Sequence, residues 1–390
     1  MRLFLCMLLA GCGSSGAAPP DGALPDADAR DGGGICSCDG PGDCELIGGE
    51  PTCDCDPGFE ALLRTRCVPV GPAIDPGHTL PVEGFGRDAT GGEGGPVVMV
   101  ESYANDGPGT LRAILRAASG PTVVRFPRDG TIALEGAAVL VPSNVTLDAR
   151  GQDVRLTGFG LRLEDVENVV VLNLAFVDID DPTGGDGIQI IRSRRVAILH
   201  CLFDNGGLDF VPDVPDEQVS IVFGSTDITI AWSRFRNHDK VLLIGNGDAP
   251  ELDRDIRVTL HHDLFEDTGR RHPFLRAGQV DMYDCIVRDW RTQLEGFGAY
   301  GSRSDAGGEL SIEAGLYSQQ DSAQRFAVVS LDSMGRIRLT DTVLAQPFLI
   351  AVEREPERVF TRPYPATVHA MSDRLIAAME SGAGNTMPAP

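Results

Sequence analysis

Of the 33 basic residues in the sequence, only one is a lysine, Lys240. A chain that uses arginine almost everywhere keeps lysine where a compact ammonium ion serves better than a planar fork. About thirty residues further on come Arg270, Arg271, His272 and Arg276, with Pro273 biasing His272 towards an extended backbone. Gathering positive side chains costs Coulombic repulsion unless an anion binds among them. The bland alternative is a solvated basic surface neutralised by the segment Pro250 to Asp255 and by Glu266 and Asp267. A second group with chemical potential is acidic: Asp180, Asp181 and Asp186, with Asp213, Asp216 and Glu217 a coil later. Paired carboxylates are what a glycoside hydrolase uses, but that chemistry leaves Arg271 and Arg276 without a purpose.

The whole chain carries a formal charge of −24 with a pI near 4.6, which argues against a nucleic-acid partner. An anionic substrate must therefore meet a local basic patch or a bound cation. The elements that would build such a patch are legible as a repeat. The run 169–176 (VVVLNLAF) matches 196–203 (VAILHCLF), 228–235 (ITIAWSRF) and 258–265 (VTLHHDLF), with weaker copies starting at Val145, Val280, Leu310 and Ile337. The first and third residues of each strong copy are apolar, the period of a strand with one buried face. The eighth residue is Phe176, Phe203, Phe235 or Phe265. Successive copies from Val169 lie 27, 32, 30, 22, 30 and 27 residues apart. That spacing is too regular for a sandwich and too short for strand–helix–strand units, and it fits coils of an all-β, right-handed parallel β-helix. The fifth position (Asn173, His200, Trp232, His262, Asp284) reads as a turn between two strands. Cys201 and Cys285 share the sixth position a coil or more apart and read as buried free thiols.

Several blocks in order resemble the pectate lyase superfamily over about residues 82 to 345. They are Gly84-Phe-Gly86 with Ala89-Thr-Gly-Gly92, Asp106-Gly-Pro-Gly-Thr-Leu-Arg112, Asp186-Gly-Ile-Gln-Ile190, Thr229-Ile-Ala-Trp232 to His238-Asp-Lys240, Val258 to His262, and Arg271-His-Pro-Phe-Leu-Arg276. The resemblance implies a polysaccharide lyase that β-eliminates pectate, with an acidic polysaccharide as partner and no nucleic acid. It implies Arg271 as the base for the C5 proton of a uronate, Lys240 and Arg276 as holders of its carboxylate, and His262 beside them as a substrate-binding residue. An arginine base needs its pKa depressed, which a crowd of cations would do. The family also implies calcium on an Asp-x-Asp pair and a Glu-x-x-x-Asp pair. Here these read Gly184-x-Asp186 and Glu217-x-x-x-Ile221, so Asp186 and Glu217 are the expected Ca2+ ligands, with Asp180, Asp181, Asp213 and Asp216 near enough to substitute. The competing reading is a surface-anchored carbohydrate-binding or adhesion protein with little catalysis.

Around this region, residues 1–11 read as a secretion signal and Leu9-Ala10-Gly11-Cys12 as a lipobox, with Cys12 lipidated. Residues 12–35 read as a flexible tether. Together they predict export and a lipid anchor at the bacterial cell envelope, at the outer membrane or cell surface, with no spanning segment. Six cysteines fall in residues 36–67: Cys36, Cys38, Cys44, Cys53, Cys55 and Cys67. The run Cys53-Asp-Cys55-Asp-Pro-Gly-Phe59 with Cys67 resembles the second half of an EGF-like module, and that resemblance implies bridges 36–44, 38–53 and 55–67. Zinc is the rival reading for this segment. The β-helix is expected over 76–345 and a cap and tail over 346–390, with an amphipathic helix between Val368 and Glu380 and a disordered tail from Ser381. A monomer is expected.

Overall fold

The computed structural model describes residues 37–76, 82–181, 185–206, 216–247, 251–291, 299–321, 325–332, 334–346, 348 and 353–390. The repeat becomes register. Val145, Val169, Val196, Ile228, Val258, Val280, Leu310 and Ile337 are paired in one unbroken parallel row. Among the described residues the coils form three parallel sheets. A ten-stranded sheet runs from Val97–Met99 to Arg336–Thr340, a nine-stranded one from Gly130–Ala133 to Val343–Leu344, and an eight-stranded one from Val139–Leu140 to Phe326–Val329. The chain is a parallel β-helix whose ladder begins two strands before the first copy visible in sequence, at Val97–Met99 and Thr122–Arg125.

The fifth position is the corner between the ten- and nine-stranded sheets. Asn173, His200, Trp232, His262 and Asp284 all take left-handed backbone, with φ of 60°, 50°, 52°, 56° and 51°. One residue at φ > 0 turns the chain sharply enough for the next strand to begin immediately. The eighth position then points inward. Phe176, Phe203, Phe235 and Phe265 stack with ring centroids 4.8, 4.7 and 4.9 Å apart, which is the strand spacing itself. Each ring is at most 1% exposed, and burying such a side chain contributes roughly 1.5–3 kcal/mol. Cys201 and Cys285 are buried thiols, as expected.

The segment Gly84-Phe85-Gly86 lies flat on the outside of the ten-stranded sheet. The amides of Phe85 and Gly86 donate to the hydroxyls of Thr259 and Thr229, each at 2.9 Å. A Cβ on Gly86 would stand 2.6 Å from the Thr229 nitrogen, so only glycine permits this approach.

Two antiparallel hairpins make up the cysteine segment, Gly42–Ile47 with Glu50–Cys55 and Phe59–Leu62 with Arg66–Pro69. Disulfides join Cys38 to Cys53 and Cys55 to Cys67, which consumes the thiolates a zinc site would need. Cys44 is also disulfide-bonded, while Cys36, like Cys12, lies outside the described residues.

The C-terminal residues depart from expectation. The amphipathic helix forms at Asp373–Gly382, capped by the Ser372 hydroxyl, with Leu375 and Met379 buried against Leu172, Leu199 and Trp232. The tail after Ser381 is ordered, contrary to its small, polar composition. The Gly384 amide donates to the Trp232 carbonyl at 2.8 Å, the Met387 amide to the Asn173 side chain at 2.7 Å, and the Gly151 amide to the Met387 carbonyl at 2.9 Å. This tail is a strap laid along the corner row.

Candidate active site

The loops that leave the nine-stranded sheet vary in length, and they deliver the charged residues to the entrance of the eight-stranded sheet. Extending the strand register back by two residues lines up Asp186, Glu217 and Lys240 on successive coils. Arg270 is bridged to Lys240 on the next coil, and Arg271 follows with φ of 72°. The outward-facing row of the same sheet reads Arg162, Gln189, Ser220, Leu243, Phe274 and Arg303, one residue per coil. This row forms the outer face of the sheet, with Ser220 and Phe274 themselves buried, and its first residues open into a cleft. At its N-terminal end a hollow of ≈ 470 Å³ is lined by Arg112, Arg116, Arg162, Asp181, Asp186 and Gln189.

The cations expected to crowd one another are instead matched with carboxylates. Lys240 Nζ donates to Asp216 at 2.9 Å, and Arg271 Nη1 is paired with Glu217. Arg270 is buried against Asp239 at 3.1 Å, a structural ion pair. Asp216, one coil back from Lys240, and Glu217, two coils back from Arg271, provide neutralising charge, while the Glu266 carboxylate serves Arg288 and Arg234. The reason is geometric: strand register puts acids and bases of nearby coils in contact, which spacing along the chain does not reveal.

Asp186, Asp216 and Glu217 bring one carboxylate oxygen each within 4.8 Å of one another. Asp186 is 4% exposed. Burial pushes its carboxyl up to about 8, against the lowering influence of the Ser220 hydroxyl that donates to it. Three converging hard oxygens fit a divalent cation of the calcium type. Asp181 lines the same hollow. Asp180 is exposed, and Gly184 and Asp213 lie outside the described residues.

Arg276 reaches the cleft over the face of Phe274, with Cζ 4.4 Å from the ring centroid. Arg303 stands 4.2 Å from the same ring and Arg271 5.7 Å. Arg303 was not evident from the sequence. The signal that finds it is its register with Phe274, once the coil starting at Tyr300 is aligned.

His262 does not belong to this group. It sits at the corner row, 4% exposed, stacked on Trp232 at 4.5 Å. The double histidine faces the strap and not the cleft, because His262 is the turn residue itself.

Comparison with known proteins places this geometry. Residues 133–307 match the pectate lyase family. The chain is 34% identical over 226 residues to putative pectate lyase 21 of Arabidopsis thaliana, an alignment covering 53% of this chain and 55% of that protein. It is 31% identical over 217 residues to probable pectate lyase 4 of the same plant, covering 53% and 56%. The chain thus spans about half the length of the curated relatives it matches. Among solved structures, the thermostable pectate lyase PL 47 superposes with a TM-score of 0.65 at 20% identity, covering 80% of this chain and 99% of that one. A Bacillus sp. N165 pectate lyase in complex with trigalacturonate gives 0.62 at 20% identity, covering 78% and 98%. The class defined by fold and cleft is a parallel β-helix protein whose central coils match the pectate lyase family.

Proposed function

We propose that this protein is a pectate lyase that cleaves polygalacturonate by β-elimination, leaving a 4,5-unsaturated end on the product. The observation that carries the reading is the meeting of Lys240 and Arg271 with three carboxylates beside the cluster of Phe274, Arg276 and Arg303. In the reaction Arg271, in its neutral form, takes the C5 proton. The electron pair closes the C4–C5 double bond, and the glycosidic oxygen on C4 leaves and is protonated by solvent. A proton alpha to a carboxylate is weakly acidic, so Lys240 and Arg276 hold the uronate carboxylate where negative charge develops. Asp186, Asp216 and Glu217 are the residues that would hold calcium, whose positive charge beside the uronate would favour loss of the proton. For a uronate to reach Lys240 and Arg271, their partners Asp216 and Glu217 must be drawn off, and a cation shared by the three acids is suited to do this.

The export reading accompanies this one: residues 1–11 as signal, Cys12 lipidated and the EGF-like segment as a spacer at the bacterial surface. The two disulfides support an oxidising compartment. Among the described residues no helix is long and apolar enough to cross a membrane.

The test is ultraviolet absorbance of the unsaturated product on polygalacturonate, with calcium and then with EDTA, beside Arg271→Ala. A rise abolished by EDTA and by the substitution is expected. A rise indifferent to EDTA would remove calcium from the reading. No rise on polygalacturonate, methylated pectin or other uronates would sink the lyase in favour of a carbohydrate-binding protein.

A further inference from the structure

On the corner row, far along the coil from the cleft residues, a second cluster of ligating side chains is buried beneath the C-terminal segment. His262 Nε2, His369 Nδ1 and Asp284 Oδ2 form a triangle with sides of 3.3, 3.0 and 3.4 Å. His262 and Asp284 are corner residues of successive coils, and His369 belongs to the segment leading into the helix Asp373–Gly382. All three are buried, each at most 4% exposed.

The partners of these groups dictate where their protons sit. His369 Nε2 faces the Ala73 carbonyl at 3.4 Å, an acceptor only, so a proton belongs on Nε2, and Nδ1, which faces the Asp284 carboxylate at 3.0 Å, presents a lone pair when a metal ion takes the place of a proton there. His262 Nδ1 faces His261 Nδ1 at 3.1 Å. With that proton on His262, its Nε2 also presents a lone pair. Two imidazole nitrogens and a carboxylate oxygen then converge on one point, the donor set and size of a metal site. Ligands bound tetrahedrally at 2.0–2.1 Å stand ~3.3 Å apart, and the observed triangle has that size. The second oxygen of Asp284 accepts the His369 backbone N–H at 3.1 Å, so the protein supplies three ligands and water the fourth position, and the contacts to Ala73 and His261 are of the kind that fix the tautomers of metal-bound histidines.

We propose that His262, Asp284 and His369 bind one transition-metal ion of the zinc type, which locks the segment ahead of the C-terminal helix onto the corner row. Imidazole nitrogens with one carboxylate select such an ion over calcium, which takes oxygen. The site is buried, and its role is structural. His369 also lines a cleft of ≈ 570 Å³ between the cysteine segment and the coils, which gives the ion a way in.

The experiment uses the full mature chain, stripped with a chelator and titrated with Co2+ and Zn2+. The visible bands of tetrahedral Co2+ should rise to one equivalent and be displaced by Zn2+. Saturating Zn2+ should raise the unfolding temperature on the order of 5 °C. Both responses should vanish in His369→Ala and in Asp284→Asn. They should persist in His200→Gln, another corner histidine, which meets the Gly382 carbonyl at the end of the C-terminal helix, and in Asp186→Asn, which alters only the cleft carboxylates. Should the His369 variant fail to fold, the Co2+ titration of the unaltered chain still decides. Absence of tetrahedral bands at one equivalent, bands that survive in Asp284→Asn, or an unfolding temperature that responds to pH but not to Zn2+ would overturn the proposal. The last of these would leave a triad held by protons alone.

Discussion

The two sides of the coil follow opposite rules. At the corner row the turns at Asn173, His200, Trp232, His262 and Asp284 are each one left-handed residue, side chains stack coil upon coil, and the strap bonds to the row at Asn173 and Trp232. At the entrance to the eight-stranded sheet the loops differ in length from coil to coil, and no residue type repeats: Asp186, Glu217, Lys240 and Arg271 follow one another. Regularity supplies stability, because identical neighbours bury one another. Irregularity supplies chemistry, because unlike charges from different coils meet there.

This contrast can be broken first at the irregular side. Arg271→Ala should lower the rate of unsaturated-product formation by ~10³-fold, the range for loss of a general base, while the urea unfolding midpoint falls only by what Glu217 loses with its partner. A large loss of stability instead would mean that the cleft residues also carry the fold. On the regular side Phe203→Ala, in the middle of the aromatic stack, should cost about 3–5 kcal/mol in urea unfolding and leave product formation by the folded fraction intact.

Deleting residues 383–390 should cost about 2 kcal/mol or more, since the Trp232 carbonyl and Asn173 side chain lose their partners. Turnover at a temperature where the chain stays folded should not change. The smallest effect concerns pH. Burial holds the His272 imidazole down to about 3, between the Thr268 hydroxyl and the Gly301 carbonyl. The unfolded ring titrates near 6.5, so its contribution to stability is full above that pH and is lost as pH falls towards 3. Unfolding titrations should show His272→Gln removing up to about 1.4 kcal/mol per pH unit of acid sensitivity below pH 6.5.

How much could be read beforehand divides along the same line. The register row from Val145 to Ile337 and the stack of phenylalanines were legible, because a buried face repeats with the coil. The motifs singled out Asp186, Glu217, Lys240, Arg271 and Arg276, which the coils bring to the eight-stranded sheet and its entrance. What they could not reveal was that Lys240 faces Asp216 and Arg271 faces Glu217, since those contacts depend on register across loops of unequal length. His262 was misplaced for a related reason: an adjacent pair of histidines looks like a polar site, but the second is the turn residue and points away from the cleft. The tail after Ser381 was misread because small residues suggest disorder. Here they are required by close approach, as a Cβ on Gly382 already has Pro76 at 2.8 Å and Trp232 at 3.2 Å.

The strap has a consequence for the order of assembly. Met387 bonds to a residue 214 positions earlier in the chain, whereas each coil bonds mainly to the coil before it. Winding can therefore advance turn by turn, but the strap closes only on a surface already complete. It is a seam fastened last, and on warming it should open first, exposing the stacked corner residues to proteases while the coils beneath are still wound.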